Sequence, residues 1–217
     1  MTDRTTDGTT DGTTDDATET PGPDREELDV LRAALVGAHA RPPLARDELE
    51  AWEARHGVTL PEPYRTFLTR VANGFSAAPS GEEVLLPLGR LPDSWYHWDS
   101  ENWLSPDRFD PSAPRDPAAP FPLTEEWQWE YDYFPDEHVG LMASLYRDGS
   151  VLLGAEEDGC YWALVTAGPR RGTVWQLADG TAFPYTGPDE AEDGAPPLGF
   201  LDWIRQWNTG RGWWNDR

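Results

Sequence analysis

The sequence contains no lysine, only one cysteine and no long apolar run. Its 17 basic residues are therefore all arginines, and with 40 acidic residues the formal net charge is −23. A protein that binds DNA or RNA needs a basic face to displace counterions from phosphates, and docking onto an anionic membrane needs the same. We therefore expect no nucleic-acid partner and no membrane partner, and we expect attraction to basic proteins.

The single cysteine, Cys160, cannot form an internal disulfide, so nothing indicates an oxidising compartment. No apolar stretch near the N-terminus has the character of a signal peptide, and no run of 18 apolar residues occurs. We expect a cytoplasmic protein. Twelve tryptophans, seven tyrosines and seven phenylalanines supply bulk for a core despite the charge.

The first 23 residues form an acidic low-complexity segment in which Thr-Thr-Asp-Gly recurs. The segment contains no Leu, Ile, Val or aromatic residue, so burial cannot offset the entropy lost on ordering. We predict a disordered acidic tail over 1–23, either an interaction tail or a solvated extension, followed by a single domain over 24–217.

Three amphipathic helices are predicted at the start of this domain, beginning near residues 24, 47 and 61. Gly57 and Asn73-Gly74 stand where the second and third should end. Apolar or aromatic residues recur at helical spacing in all three. These residues are Leu28, Leu31 and Leu35, then Leu49, Trp52 and His56, then Tyr64, Phe67, Leu68 and Val71.

A short strand is predicted over 84–88, and four strands joined by tight turns over 151–153, 160–165, 173–177 and 181–183. Short connections make neighbouring strands antiparallel. The segment 160–165 is apolar on both faces, so it should lie centrally and be covered on both sides. A closing helix from Phe200 should pack on the sheet. This order predicts an α+β fold with N-terminal helices packed on a mostly antiparallel sheet.

Residues 92–138 interrupt this pattern with twelve acids, two arginines, eight prolines and eleven aromatic residues. We interpret them as a long irregular excursion with one short helix near Trp127. Aromatic anchors carry much interface energy and carboxylates pair with arginines, so the excursion is a candidate partner-binding surface, unless its rings only pin the loop to the sheet. The candidate residues are Trp95, Trp98, Asp99, Glu101, Trp103, Glu125, Glu126, Trp127, Trp129, Glu130 and Asp132.

A run of residues from Leu60 reads Leu-Pro-Glu-Pro-Tyr-Arg-Thr-Phe-Leu and is followed by Asn73-Gly74. It resembles the Leu-Pro-x-x-Tyr-x-x-Phe-Leu signature of the SUKH superfamily, which includes the fungal cell-wall-synthesis regulators. Two further blocks, over 159–175 and 200–203, are similar to bacterial members. Phe75 departs from the pattern, because a second glycine is common there. The residues that match the family pattern are Leu60, Pro61, Tyr64, Phe67, Leu68, Asn73, Gly74, Gly159, Cys160, Gly168, Pro169, Gly172, Trp175, Phe200 and Trp203.

The resemblance, which covers about residues 46–89 and 150–207, implies a SUKH-like fold and a protein-binding module without chemistry of its own. Bacterial members are widely associated with immunity to polymorphic toxins, often nucleases, which an acidic immunity protein binds and blocks. The resemblance therefore implies a non-enzymatic immunity protein that has a basic toxin domain as its partner and needs no cofactor. Two alternatives stay open: a carbohydrate or small-ligand protein that uses the Trp-rich acidic stretch, and a regulatory scaffold without a toxin.

Residue types used in catalysis occur here without the spacing that catalysis or metal binding needs. None of the four histidines lies in a zinc-binding motif, so we expect no metal site, although His97 with Asp99 or His138 with Asp136 would hold a cation by accident of folding. Cys160 lies in an apolar strand, which favours buried packing. The segment 168–172 lacks the end of a phosphate-binding loop, so we predict a hairpin turn with Arg170 and Arg171 exposed. The four histidines are His39, His56, His97 and His138.

Overall fold

Helices and short strands make up the part of the chain that this computed structural model describes, namely residues 25–35, 38–76, 83–96, 113–128, 136–156, 159–178, 180–187 and 195–208. The helices are α1 (Arg25–Ala34), α2 (Arg46–His56), α3 (Tyr64–Arg70), α4 (Asp136–Arg147) and α5 (Phe200–Asn208). The strands are β1 (His39–Ala40), β2 (Phe75–Ser76), β3 (Glu83–Leu85), β4 (Trp127–Gln128), β5 (Ser150–Ala155), β6 (Tyr161–Val165), β7 (Val174–Ala178) and β8 (Thr181–Pro184).

The strands form two antiparallel sheets. One has the order β1-β2-β3 and the other β4-β8-β7-β6-β5. The backbone N–H of Leu86, just after β3, donates to the carbonyl of Leu153 in β5 at 2.6 Å, so the two sheets meet there. The antiparallel meander of β5 to β8 confirms the predicted α+β class.

The five-stranded sheet is covered on both faces, and alternate residues of β6 contribute to two separate apolar clusters. Trp162 and Leu164 pack with residues of α1, α2, α3 and α5. Tyr161 and Ala163 pack on the opposite face with residues of α4 and Trp95. Every residue of β6 is buried. The predicted central, doubly covered strand is therefore confirmed, because strand residues alternate between the two faces of a sheet.

Local signals set the ends of α2 as the sequence predicts. Gly57 adopts a left-handed conformation at φ 65° and closes the helix, with its N–H donating to the carbonyl of Glu53. At the other end, the Glu48 carboxylate accepts the backbone N–H of Ala45 at 3.0 Å. Such contacts satisfy backbone groups that the helix itself leaves unpaired.

A partly buried ion pair fixes α2 against α3. The Glu53 carboxylate accepts Nε–H of Arg65 at 2.9 Å and Nη2–H at 3.2 Å. The same carboxylate accepts the backbone N–H of Leu60 at 2.9 Å. A two-pronged pair of this kind adds geometric specificity, so it orients the Leu60 segment before α3 begins.

The structure departs from the sequence analysis at two places in the second half of the chain. Asp136–Arg147 forms α4, where no helix was predicted. A helix was expected near Trp127, but Trp127–Gln128 forms β4, which pairs with Ala182 and Thr181 of β8. In both places the contact with the rest of the sheet overrides the local pattern.

The turn over 168–172 is present, and it joins β6 to β7 as predicted. Its two arginines lie against neighbouring segments: Nε–H of Arg170 donates to the carbonyl of Thr124 at 2.5 Å, and Arg171 donates to the carbonyl of Thr59 at 3.1 Å. The tip is therefore anchored on both sides. Cys160, expected to be buried, is only partly buried, because it precedes β6.

The predicted acidic tail over 1–23 lies outside the described residues. Among the helices that the structure does describe, none combines the length and the apolar character that crossing a bilayer would require.

Candidate partner-binding surface

The structure places the predicted surface residues in different environments. Trp95 is buried, and Glu125, Glu126 and Trp127 lie at the edge of the five-stranded sheet. The others fall outside the described residues, namely Trp98, Asp99, Glu101, Trp103, Trp129, Glu130 and Asp132. The described part of the surface therefore consists of Glu125, Glu126 and Trp127.

Trp95 lies in the core and does not face a partner. Its side chain is 1% exposed, and its ring centroid lies 5.0 Å from that of Tyr161 and 5.6 Å from that of Tyr146. Edge-to-face contacts at these distances stabilise aromatic clusters. For this residue the alternative reading, in which a ring pins the excursion to the sheet, is the correct one.

The edge strand β4 carries the described acids. Glu125 and Glu126 are exposed and come directly before it, and Trp127 is partly exposed. The Trp127 ring contacts His138 of α4 edge-on, with centroids 5.9 Å apart. Among the described strands β4 pairs with β8 alone, so it is an outer strand of the five-stranded sheet. An indole and two carboxylates thus follow one another along the chain at this edge.

The family-pattern residues serve the fold. Tyr64, Phe67 and Leu68 are fully buried. Asn73 uses its side-chain oxygen to accept the backbone N–H of Leu88 at 2.9 Å. A Cβ on Gly74 would lie 2.7 Å from the backbone nitrogen of Pro87, so this position needs glycine. The pattern thus encodes the packing of α3 against the two sheets.

Sequence reasoning assigned no role to Arg115, a cation between prolines in the acidic excursion. Its guanidinium donates to the carbonyl of Tyr146 and, through Nη2, to the carbonyl and hydroxyl of Ser150 at 3.1 and 2.9 Å. It also lies over the Trp95 ring, 5.4 Å from the centroid. Burial lowers the pKa of Arg115 to about 10, and the nearby charge of Asp148 opposes that shift.

Glu156 is a second acid in an unusual setting, because it is partly buried after β5. Its carboxylate accepts the indole N–H of Trp162 at 2.6 Å and the amide N–H of Gln176 at 3.4 Å. Burial raises the pKa of the Glu156 carboxyl, and the two hydrogen bonds oppose the shift. The folded state therefore holds this proton more tightly than the unfolded state does.

We expect the stability of Glu156→Gln, compared with that of the wild type, to be higher at pH 7 than at pH 4. A raised carboxyl pKa gives stability that is present at low pH and is lost as the pH rises through the folded pKa. Glutamine keeps the acceptor for Trp162 and removes the charge. The gain in Tm over the wild type should be about 1–2 °C larger at pH 7 than at pH 4. Glu126→Gln removes an exposed carboxyl and controls for net charge; an equal pH dependence in both variants would contradict the prediction.

Metal-ligand residues do not assemble within the described part of the chain, where no group of three or more His, Cys, Asp or Glu side chains could hold an ion. His97 and Asp99 lie outside the described residues, as does the side chain of Asp136.

Comparison with curated proteins gave no match, and neither did comparison with solved structures. A scan against protein-family models matched residues 43–199 to the SMI1 / KNR4 family (SUKH-1). That segment includes α2, α3, both sheets from β2 onward and α4. The match supports a small protein-interaction module. It covers more than two thirds of the chain, and the chain therefore belongs to the SMI1 / KNR4 family (SUKH-1).

Proposed function

We propose that this protein is a non-enzymatic bacterial immunity protein that binds and neutralises a basic toxin of the nuclease type in the cytoplasm. The family match supports an interaction module. The toxin, the neutralising role and the absence of catalysis are the steps that we add.

The observation that carries the proposal is the placement of Glu125 and Glu126 directly before Trp127 at the outer strand of the described five-stranded sheet, in a chain with a net charge of −23. Interface hot spots combine an aromatic anchor with groups that pair with arginine. A nuclease presents a basic surface to its phosphate substrate, so a surface that attracts the nuclease competes with nucleic acid for the same groups.

The net charge of the chain favours rapid association with a basic partner. Opposite net charges steer two proteins together and raise the association rate at low salt. The net charge therefore favours capture of a basic toxin, and local contacts at β4 would determine which toxin is bound.

The direct test is affinity capture from the native cell with the full chain as bait, followed by mass spectrometry. We expect recovery of a basic, toxin-like protein whose lethality is relieved by co-expression of this chain. Housekeeping proteins alone, or a recovered partner whose activity the chain leaves unchanged, would contradict the proposal.

Charge reversal at β4 should weaken that complex about a hundredfold, because removal of buried interfacial charge pairs costs about 2–5 kcal/mol. The variant is Glu125→Arg with Glu126→Arg, measured by calorimetry against the captured toxin. The matched control is Glu26→Arg with Asp47→Arg, two exposed acids on α1 and α2. Both double variants change the net charge by the same amount, so equal losses of affinity for the toxin would show that the toxin does not contact Glu125 and Glu126.

A further inference from the structure

A cavity of about 310 Å³ lies where α2, the segment after β3, the 113–117 segment and the start of β5 meet. None of its described lining residues belongs to the β4 edge, and the cavity lies between the two apolar clusters: Val151 in its lining belongs to one cluster and Leu152 to the other. Ligand sites are of this size, and they combine mostly apolar walls with a few polar groups.

Two aromatic residues of the cavity lining are stacked on each other. Trp52 and His56 lie one turn apart on α2, with ring centroids 4.0 Å apart and planes inclined by 25°. The Nδ1–H of His56 donates to the carbonyl of Trp52 at 2.8 Å, which holds the imidazole against the indole. Gly89 approaches so closely that a Cβ there would lie 2.8 Å from Nε1 of Trp52. The pair is therefore held in place, and because each ring covers one face of the other, a ligand ring would stack on an outer face of the pair.

The charged groups of the cavity are cationic. Among the described residues that line it are Arg90 and Arg115, and none of these lining residues is an acid, although the chain has 40 acids. Arg90 is already paired with Glu83 at 3.0 Å. In the described part of the chain, no carboxylate lies within ion-pair distance of Arg115, which donates instead to two carbonyls and a hydroxyl.

Among the described residues Asp148 lies near enough for its charge to act on Arg115 but forms no direct ion pair with it, so an anion in direct contact would offset more of the cost of burying the cation. The planar guanidinium has five N–H donors in a fork that matches a carboxylate. The bonds to Tyr146 and Ser150 engage Nη1 and Nη2, and they hold the guanidinium between the end of α4 and the start of β5. A ligand anion would thus meet the remaining donors of a guanidinium that is already held in place.

We propose that this cavity binds a small aromatic carboxylate, with its ring stacked on the outer face of the Trp52–His56 pair and its carboxylate paired with Arg115. A single negative charge fits better than two, because the chain as a whole carries −23 and repels anions. The aromatic body suits the stacked pair, and the volume admits one or two fused rings. This site is separate from the proposed toxin-binding surface, and neither depends on the other.

The test uses naphthalene-2-carboxylate as probe and the neutral naphthalene-2-carboxamide as its matched control. Binding to the full chain is measured by calorimetry and by shifts of the Trp52 indole and His56 ring resonances. We expect the carboxylate to bind at least about tenfold more tightly than the amide, as a charge-assisted pair predicts. 2-Naphthyl phosphate, which is a dianion of similar shape, should bind more weakly than the carboxylate.

Two variants test the contributions of the aromatic pair and of Arg115 to binding separately. Trp52→Leu removes the ring without touching Arg115 and should weaken carboxylate binding at least about tenfold. Arg115→Gln should abolish the preference for carboxylate over amide. Arg171→Gln removes a cation from the β6–β7 turn and controls for net charge, so its binding should equal that of the wild type.

Several results would overturn the proposal. These are equal affinity for carboxylate and amide, no heat or resonance shift with either at millimolar concentration, or wild-type affinity in Trp52→Leu. If Arg115→Gln does not fold, because its bonds to Tyr146 and Ser150 are lost, the ligand pair and Trp52→Leu still decide the outcome.

Discussion

Replacement of Gly149 by alanine is expected to lower the free energy of unfolding by more than about 4 kcal/mol. Gly149 has φ 67°, and its added Cβ would lie 2.3 Å from the backbone nitrogen of Phe121 and 2.5 Å from its Cα. Backbone atoms cannot rotate away as a side chain would. The 113–128 segment must therefore move, although the N–H of Gly149 donates to the carbonyl of Asp116 and its carbonyl accepts from Thr166. Urea denaturation measures the loss.

Gly159 provides the matched control, because it has φ 76° and nothing lies within 4 Å of its added Cβ. Gly159→Ala should lower the free energy of unfolding by only about 1–2 kcal/mol, which is the cost of holding alanine in a left-handed backbone conformation. Asparagine tolerates that conformation better than alanine, so Gly159→Asn should recover part of the loss. Gly149→Asn should not, since its Cβ meets the same backbone. Equal losses for alanine at both glycines would contradict this account.

The elements that sequence reasoning predicted are those with local signals. The C-terminal end of α2 follows from Gly57, and α3 follows from Tyr64, Phe67 and Leu68 at helical spacing. The hairpins of β6 to β8 follow from apolar runs separated by glycine turns. In each case a few neighbouring residues carry the information.

The errors arise where tertiary contacts outweigh local preference. Gly140 lies inside α4, and glycine weakens a helical pattern by about 1 kcal/mol relative to alanine. The buried positions Val139, Met142 and Tyr146 nonetheless hold the helix against the sheet. Trp127 joins β4 because β8 offers it an edge, and no feature within two residues predicts that pairing.

The two candidate sites were predictable to different degrees. Acids and tryptophans in 92–138 drew attention to Glu125, Glu126 and Trp127, but composition alone did not distinguish them from the buried Trp95. The cavity could not be predicted at all. Its lining comes from four segments that are separated in sequence by up to about a hundred residues, and only folding brings Arg115 toward Trp52.

Two helices outside the family match belong to the same core as the matched segment. The match covers 43–199, whereas α1 ends before it and α5 begins directly after it. Leu28 and Leu31 of α1 join the apolar cluster that contains α3 and α5. Arg205 of α5 also pairs with Glu27 of α1. These terminal helices thus cover the face of the sheet on which the family pattern packs.

Phe200 is the first residue of α5. Its replacement measures how much this helix contributes to the free energy of unfolding by packing on the sheet. Its side chain is fully buried, and its ring centroid lies 4.8 Å from that of Tyr64 and 5.1 Å from that of Phe67. Phe200→Ala leaves a cavity there and should cost about 3–5 kcal/mol in urea denaturation. Phe200→Leu keeps most of the apolar volume and should cost less than half as much. Leu201→Ala, at the partly buried next position, is the control, because alanine keeps the helix propensity; a loss there equal to that of Phe200→Ala would contradict a specific role for the Phe200 contact.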